Sequence, residues 1–444
     1  MTALATSPEL PTSPEPSTSP ERSTFPELVE GPKPRTGNSR LSGVTTERHH
    51  VPKRSGKPDP TAHLSAAQVE ELARELDALR QEVLGSRGAD DAAYIRKVID
   101  LQRKLELGSR ALLLFSRFPP AWFVGTAGLA VAKILENMEI GHNVMHGQWD
   151  WMRDPKIHSA VWEWDHASPA ELWKRSHNEF HHTYTNVLGK DNDLGYGIMR
   201  VDEDQRWVPM YLGQPLWNFV NMCLFQYGIA AYDLQLGKGL RGRSDQEQFR
   251  KDSSAVLRKI GRQARKDYLV HPLLSGPSFL PTMAANATAN LIRNIWSHSV
   301  IMCGHFPEGV ETFAKASIDG ETRGEWYLRQ MIGSANIEGS KTMHLMTGNL
   351  SHQIEHHLFP DLPSSRYAEI APKVKDICRR YGLSYTAGSL PRQVASAWKQ
   401  VIRLSLPNEF SARDLLRSLS SSKGLSSSKG LSSSKGLSSS KGGV

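Results

Sequence analysis

Cysteine is scarce in this chain of 444 residues: Cys223, Cys303 and Cys378 are its only thiols. Three thiols cannot form a disulfide framework, and a reducing compartment is expected. No secretory leader is expected either, because the first residues lack a basic start and an apolar run of about 7–15 residues. No collagen period or sustained coiled-coil heptad runs through the chain. Apolar residues make up 39% of it. Mean hydropathy is −0.44, which taken alone argues against a membrane protein. That average hides an apolar middle between two very polar ends.

The ends have little that could fold. Ser-Pro-Glu recurs at Ser7, Ser13 and Ser19, and residues 1–60 carry almost no apolar periodicity. Such a stretch cannot bury enough surface to offset chain entropy, so it is expected to be disordered. Residues 406–444 are read as a low-complexity basic tail, with Ser-Ser-Ser-Lys-Gly repeats that place Lys423, Lys429, Lys435 and Lys441 in phase. Between the ends, about 150 residues per domain allows two to three domains. Residues 61–110 are expected to form an amphipathic helical hairpin. Ser65 is its first cap, Val69, Leu72, Leu76, Leu79 and Val83 form one stripe, and Gly85–Gly88 break it. Residues 111–405 are expected to form the main body.

Within that body three apolar stretches compete for a membrane span, which needs about 20 mostly apolar residues. They are 111–140, 210–236 and 267–304. Residues 238–266 carry ten Lys/Arg against three Asp/Glu. A loop so basic prefers the cytoplasmic face. This places 210–236 in the interface or against the body. Residues 260–280 and 282–304 then form a crossing pair that turns near Gly276-Pro277. An even number of crossings returns the chain to the same face.

What the sequence has in excess is histidine. It holds 17, of which 14 lie between His142 and His357. Three clusters stand out: His142-Asn-Val-Met-His146, His177-Asn-Glu-Phe-His181-His182, and His352-Gln353-Ile-Glu355-His356-His357. His305 follows the last apolar stretch. Residues four apart on a helix share a face, so each pair can offer two imidazoles to one centre. Eight nitrogen donors (His142, His146, His177, His181, His182, His305, His356, His357) are too many for one tetrahedral zinc. Two metals with open positions fit the count, although imidazole alone does not choose between Fe, Zn, Cu and Ni. His158, His166, His271 and His344 read as ordinary packing residues, and His298 lies about two turns before His305.

The clusters resemble the histidine boxes of membrane-bound fatty acid desaturases, H-x3-H, H-x3-H-H and Q-x2-H-H. The likeness runs on through His181–Asp193 and Asn349–Pro360 and covers about residues 90–405. The segment from Glu136 to Trp151 is similar to actinobacterial acyl-CoA desaturases of the NADPH-dependent stearoyl-CoA 9-desaturase type. The resemblance implies an all-α membrane protein of about four transmembrane helices, with a cytoplasmic helical cap holding a di-iron centre. It carries ligand roles onto the eight histidines above. Gln353 stands where relatives have a histidine, and would bind weakly, bind through water or orient a neighbour. Ile301 replaces an Asn that some relatives use as a ligand. Asp191, Asp193 and Glu355 are candidates to receive the outer N–H of ligating imidazoles.

The implied reaction is O2-dependent cis-desaturation of a saturated long-chain acyl thioester, with acyl-CoA as the expected substrate and delta-9 as the expected position. Arg262, Arg265 and Lys266 are candidates for the phosphates of CoA or an acidic carrier. Trp149, Trp151, Trp162 and Trp164 are expected at a membrane interface first and along a substrate tunnel second. No His-Pro-Gly-Gly haem motif is present, and Gly237–Gly242 matches G-x-G-x-x-G outside any strand–helix context. Electrons are therefore expected from NADPH through a separate flavin or iron–sulfur reductase. The expected partners include the lipid bilayer of the cell membrane, with the active site facing the cytoplasm, and exclude nucleic acid. Two rival readings remain: a fatty acid or alkane hydroxylase with the same centre, and a histidine-rich metal transporter. Transporters hold ligands near the bilayer midplane, whereas these clusters lie at or beyond span ends.

Overall fold

The computed structural model describes residues 59–408 except 192, 241, 243 and 244. The expectations for residues 1–58 and 409–444, and for Arg241 and Arg243 of the basic loop, lie outside the described residues. Ser65 caps α1 (Ala66–Ser86) in a reciprocal arrangement with Gln68, as its side-chain oxygen allows. The stripe on α1 buries Leu72, Leu76, Leu79 and Val83. α2 (Ala89–Leu113) follows directly. The two helices take different main partners. α1 joins a core with Trp326, Tyr327, Phe359 and Tyr367, whereas Ile95 and Val98 of α2 pack with Ile140, Val144 and Trp149.

α3 (Pro119–Leu135) begins on Pro119-Pro120, where the missing amide hydrogens cost nothing, and runs between α2 and α8 (Phe279–His305). Its contact with α2 needs small residues: a β-carbon on Gly128 would lie 2.3 Å from Ser109 Oγ. α3 continues into a π-helical turn, Glu136–His142, that carries the first histidine cluster. The second cluster follows α4 (Ala170–Lys174) and also lies in a π-helical turn, Arg175–His181. Such wide turns recur at functional sites.

Residues 210–236 form two short helices, α5 (Gln214–Cys223) and α6 (Phe225–Asp233), each too short to span a bilayer. The basic segment becomes α7 (Gln246–Ala264), extended by a π-helical turn to His271–Leu274. The chain then reverses at Gly276, whose φ is +52°, and enters α8. α9 (Arg323–Ile332), α10 (Gln353–Leu358), α11 (Tyr367–Arg380) and α12 (Leu390–Ser405) complete the helices named here. One element departs from the all-α expectation. β1 (Asn336–Glu338) pairs in parallel with β2 (Ala387–Ser389), with Asn336 opposite Ala387. The pairing fixes α12 beside the third histidine cluster.

Among the described residues no helix is long and apolar enough to cross a membrane, so the expected four spans do not appear as apolar rods. α3 is only 17 residues long, and α8 carries a polar stripe. α8 buries Asn286, Asn290, Arg293, Asn294, Ser297 and His298, while Leu280, Leu291 and Ile292 face outward.

Candidate metal centre

Three local structures bring the histidines together. The π-helical turn ends on His142, the short helix after it leads into His146, and their rings lie 4.6 Å apart. The second turn stacks His177 on His181 at 4.9 Å, and Trp173 covers the other face of His177 at 4.3 Å. The third cluster lies on α10, tied to the first by Asn143 Nδ2, which donates to the Gly348 carbonyl at 3.1 Å. His305 arrives at the last residue of α8.

Ring nitrogens of His142, His146, His177 and His356 lie within 4.8 Å of one another, as do those of His181, His305 and His357. His182 sits between the groups: its Nε2 is 3.2 Å from His177 Nε2, and its ring is 4.6 Å from that of His357. The eight sequence-predicted histidines thus converge. Gln353 joins them, with its side-chain amide 3.1 Å from both His305 Nε2 and His357 Nε2. Gly304 leaves room for it, since a β-carbon there would lie 2.8 Å from Gln353 Cγ.

The outward nitrogens explain which atoms face inward. His181 Nδ1 meets Asp191 Oδ1 at 3.0 Å, and His177 Nδ1 meets Asp193 Oδ2 at 2.9 Å. Asp191 is itself held by the backbone N–H groups of Asn186 and Asp193. Thr185 Oγ1 donates to the His181 carbonyl, leaving a lone pair for His357 Nδ1 at 3.2 Å. Tyr367 donates to the Phe359 carbonyl and faces His356 Nδ1 at 3.3 Å. Protons held at these outer positions leave Nε2 lone pairs pointing at the centre. There Nε2 of His305 and His357 approach to 3.2 Å, and those of His142 and His356 to 3.3 Å. Lone pairs do not face one another at that distance without a cation or proton between them. The donor set therefore fits two metal ions, with His142, His146, His177 and His356 around one and His181, His305 and His357 around the other.

Electrostatics favour neutral donors. Burial, reinforced by neighbouring imidazoles, pushes His177, His182, His356 and His357 well below the ordinary histidine range. His181 is the exception. Burial disfavours its charge, but Asp191 and Asp193 outweigh that and raise it to about 9.

Other predicted residues lie elsewhere. Glu355 is wholly buried, yet it accepts from Asn336 at 2.8 Å and Tyr385 at 2.9 Å rather than from a ligand imidazole, because it points to the back of α10. Trp149, expected at an interface or tunnel wall, is 0% exposed and packs with Ile95 and Val98 of α2 and with Ile140 and Val144. Arg262 and Arg265 are exposed, whereas Lys266 pairs with Asp165 at 3.0 Å. His298 bonds Asn218 Oδ1 at 3.0 Å, and His352 stacks on His344 at 4.5 Å, both apart from the two groups. Sequence reasoning missed Thr185, Tyr367 and Trp173. Thr185 had a signal, three residues after His182; Tyr367 had none.

Comparison with known proteins agrees with this geometry. Residues 118–389 match the family model described as fatty acid desaturase. An NADPH-dependent stearoyl-CoA 9-desaturase of Mycobacterium tuberculosis is 49% identical over 356 residues, covering 79% of this chain and 83% of the relative. An sn-1 linoleoyl-lipid 6-desaturase of Synechocystis is 26% identical over 272 residues, covering 60% and 75%. An acyl-lipid (7-3)-desaturase of Rebecca salina is 27% identical over 221 residues, covering 48% of each. All four histidine-bearing segments fall inside the matched region, and the chain belongs to the fatty acid desaturase family.

Proposed function

We propose that the protein is an O2-dependent acyl-CoA desaturase that introduces a cis double bond at carbon 9 of a saturated long-chain acyl-CoA. The observation that carries this reading is the convergence of inward Nε2 atoms into two buried groups. The 49% identity to a relative whose name specifies stearoyl-CoA supports the substrate. Two iron ions held by the two groups would supply the oxidising power that no amino-acid side chain has toward an unactivated alkyl chain.

The chain's own residues do the rest. Asp191, Asp193, Thr185 and Tyr367 hold imidazole protons at Nδ1 and so fix ring orientation. Burial of His181, His356 and His357, each 2% exposed or less, keeps bulk water from their side of the centre. A saturated chain offers no polar handle, so position along an apolar path selects the bond, and the thioester end supplies recognition. Arg262 and Arg265 are exposed cations suited to the CoA phosphates, with Lys266 anchored beside them. Electrons come from NADPH through a separate flavin or iron–sulfur reductase. The outward apolar side chains of α5, α8 and the His271–Leu274 segment fit a lipid bilayer, with the centre on its cytoplasmic side.

The test is expression with a reductase, supply of stearoyl-CoA and location of any new double bond by mass spectrometry. A 9-cis alkene is expected, and His181→Ala abolishes it. An alcohol product would instead establish the hydroxylase. Neutralising Arg262 and Arg265 together is expected to raise the apparent KM for acyl-CoA by about tenfold with kcat little changed.

A further inference from the structure

Two clefts reach the histidines. One, of about 610 Å³, ends at His305 between the 194–203 loop and α12. The other, of about 590 Å³, enters between α1 and α9 and ends at His146 and His182. The second carries charge at its mouth, with Trp326, Leu358 and Pro360 along its wall. Arg80 forms a two-pronged pair with Asp361, its Nε lying 3.2 Å from Oδ1 and its Nη2 2.5 Å from Oδ2. Across from it Arg323 grips Asp77 at 2.8 and 3.0 Å, and Tyr327 donates to the same carboxylate at 2.6 Å.

The floor of this cleft is polar and unsatisfied. Nδ1 of His182, Oδ1 of Asn178 and Nε1 of Trp326 are buried without a hydrogen-bond partner, as is the His146 ring nitrogen that the metal would leave free. His146 is 1% exposed and His182 3%. The contrast is with His177, His181, His356 and His357, whose outer nitrogens meet Asp193, Asp191, Tyr367 and Thr185. Buried polar atoms left alone are costly, and a polar recess of this kind is where water is held by two to four partners. An alkyl chain is a poor occupant, because it would strip solvent from two ion pairs at the mouth.

We propose that this cleft is the port by which small hydrophilic molecules (water, the protons it carries, and small anions) reach the His146–His182 side of the metal centre. Its charged mouth is unsuited to an acyl chain, and the Arg80–Asp361 pair sets its width. The inference rests on the dimetal reading above.

The experiment uses the iron-loaded, oxidised full-length enzyme and sodium azide as the probe, with binding followed by stopped-flow absorption of the azide–iron band. Arg80→Trp narrows the mouth. Arg80→Ala with Asp361→Ala widens it without changing net charge. Azide association is expected to slow by about fivefold in the first variant and to quicken by about threefold in the second, with the saturated spectrum unchanged. Rates within about 1.5-fold of the parent in both variants, at equal iron content, would overturn the port and leave the metal centre standing. If Arg80→Trp fails to hold iron, the charge-neutral double variant decides alone by the same criterion. A parent enzyme that binds no iron overturns the dimetal reading and the port with it.

Discussion

His298 and His305 stand seven residues apart on α8, yet they have unrelated surroundings. His298 bonds Asn218 beneath Phe225, and His305 meets His357 and Gln353 at 3.2 and 3.1 Å. Replacing each with alanine therefore separates packing from ligation. His305→Ala is expected to lose metal from its group, and His298→Ala to keep full metal content while lowering thermal stability; elemental analysis and a melting curve read the two. The carboxylates act one atom further out. Asp191→Asn leaves His181 without the charge that holds its Nδ1 proton, and metal affinity should fall by about 10–100-fold. A chelator titration of the loaded protein measures this, and an unchanged titration would remove Asp191 from the support of the centre. At this scale the convergence of the histidines was legible, because an i,i+4 pair places both rings on one face of a helix. Glu355 read as a partner for an outer imidazole N–H because it is a carboxylate beside two histidines, but its partners are Asn336 and Tyr385, which the sequence does not reveal.

Elements are held in register by a buried ionic knot. Lys133 of α3, 2% exposed on its side chain, bonds Asp165 and Asp267, each at 2.9 Å, and Asp267 also takes Arg110 of α2 at 3.0 Å. Removing one partner of a buried pair strands the other, which typically costs about 3–5 kcal/mol. Lys133→Met is expected to destabilise the fold by that order. Adding Asp267→Leu should restore part of the loss. Denaturation midpoints of the two variants test this, and a double variant no better than the single would show that the knot does not act as a pair. Helix existence was readable from the stripes of α1 and from the Pro119-Pro120 start of α3. The partners of those helices were not. α1 and α2 adjoin in sequence, but their apolar stripes serve separate cores. The π-helical turns and the β1–β2 pairing were also hidden, since three-residue strands have no period to detect and a π turn differs from α by one residue.

Across the whole molecule an ordinary apolar core around α1, α9 and α11 coexists with inverted polarity on α8. Asparagine, arginine and histidine fill the inner face of α8, and leucine, phenylalanine and tryptophan lie outside. Hydropathy averaged over a helix cancels these two faces, which is why spans were hard to delimit from sequence and why no helix among those described qualifies as an apolar rod. The outward faces are continuous enough to test. Leu216 on α5 is 58% exposed, and Leu280 at the start of α8 is 66% exposed. If α5 lies along a bilayer surface while α8 enters it, spin labels at the two positions will differ in depth. With Cys223→Ser removing the half-buried native thiol, Leu216→Cys is expected to report a shallow, oxygen-accessible site and Leu280→Cys a deeper one. Lys251→Cys on the polar face of α7 should report water. Power-saturation measurements in lipid vesicles order the three. Equal water access at Leu216→Cys and Lys251→Cys would mean that the apolar surface of α5 faces something other than lipid. The membrane placement would then have to rest on α3 and α8 alone.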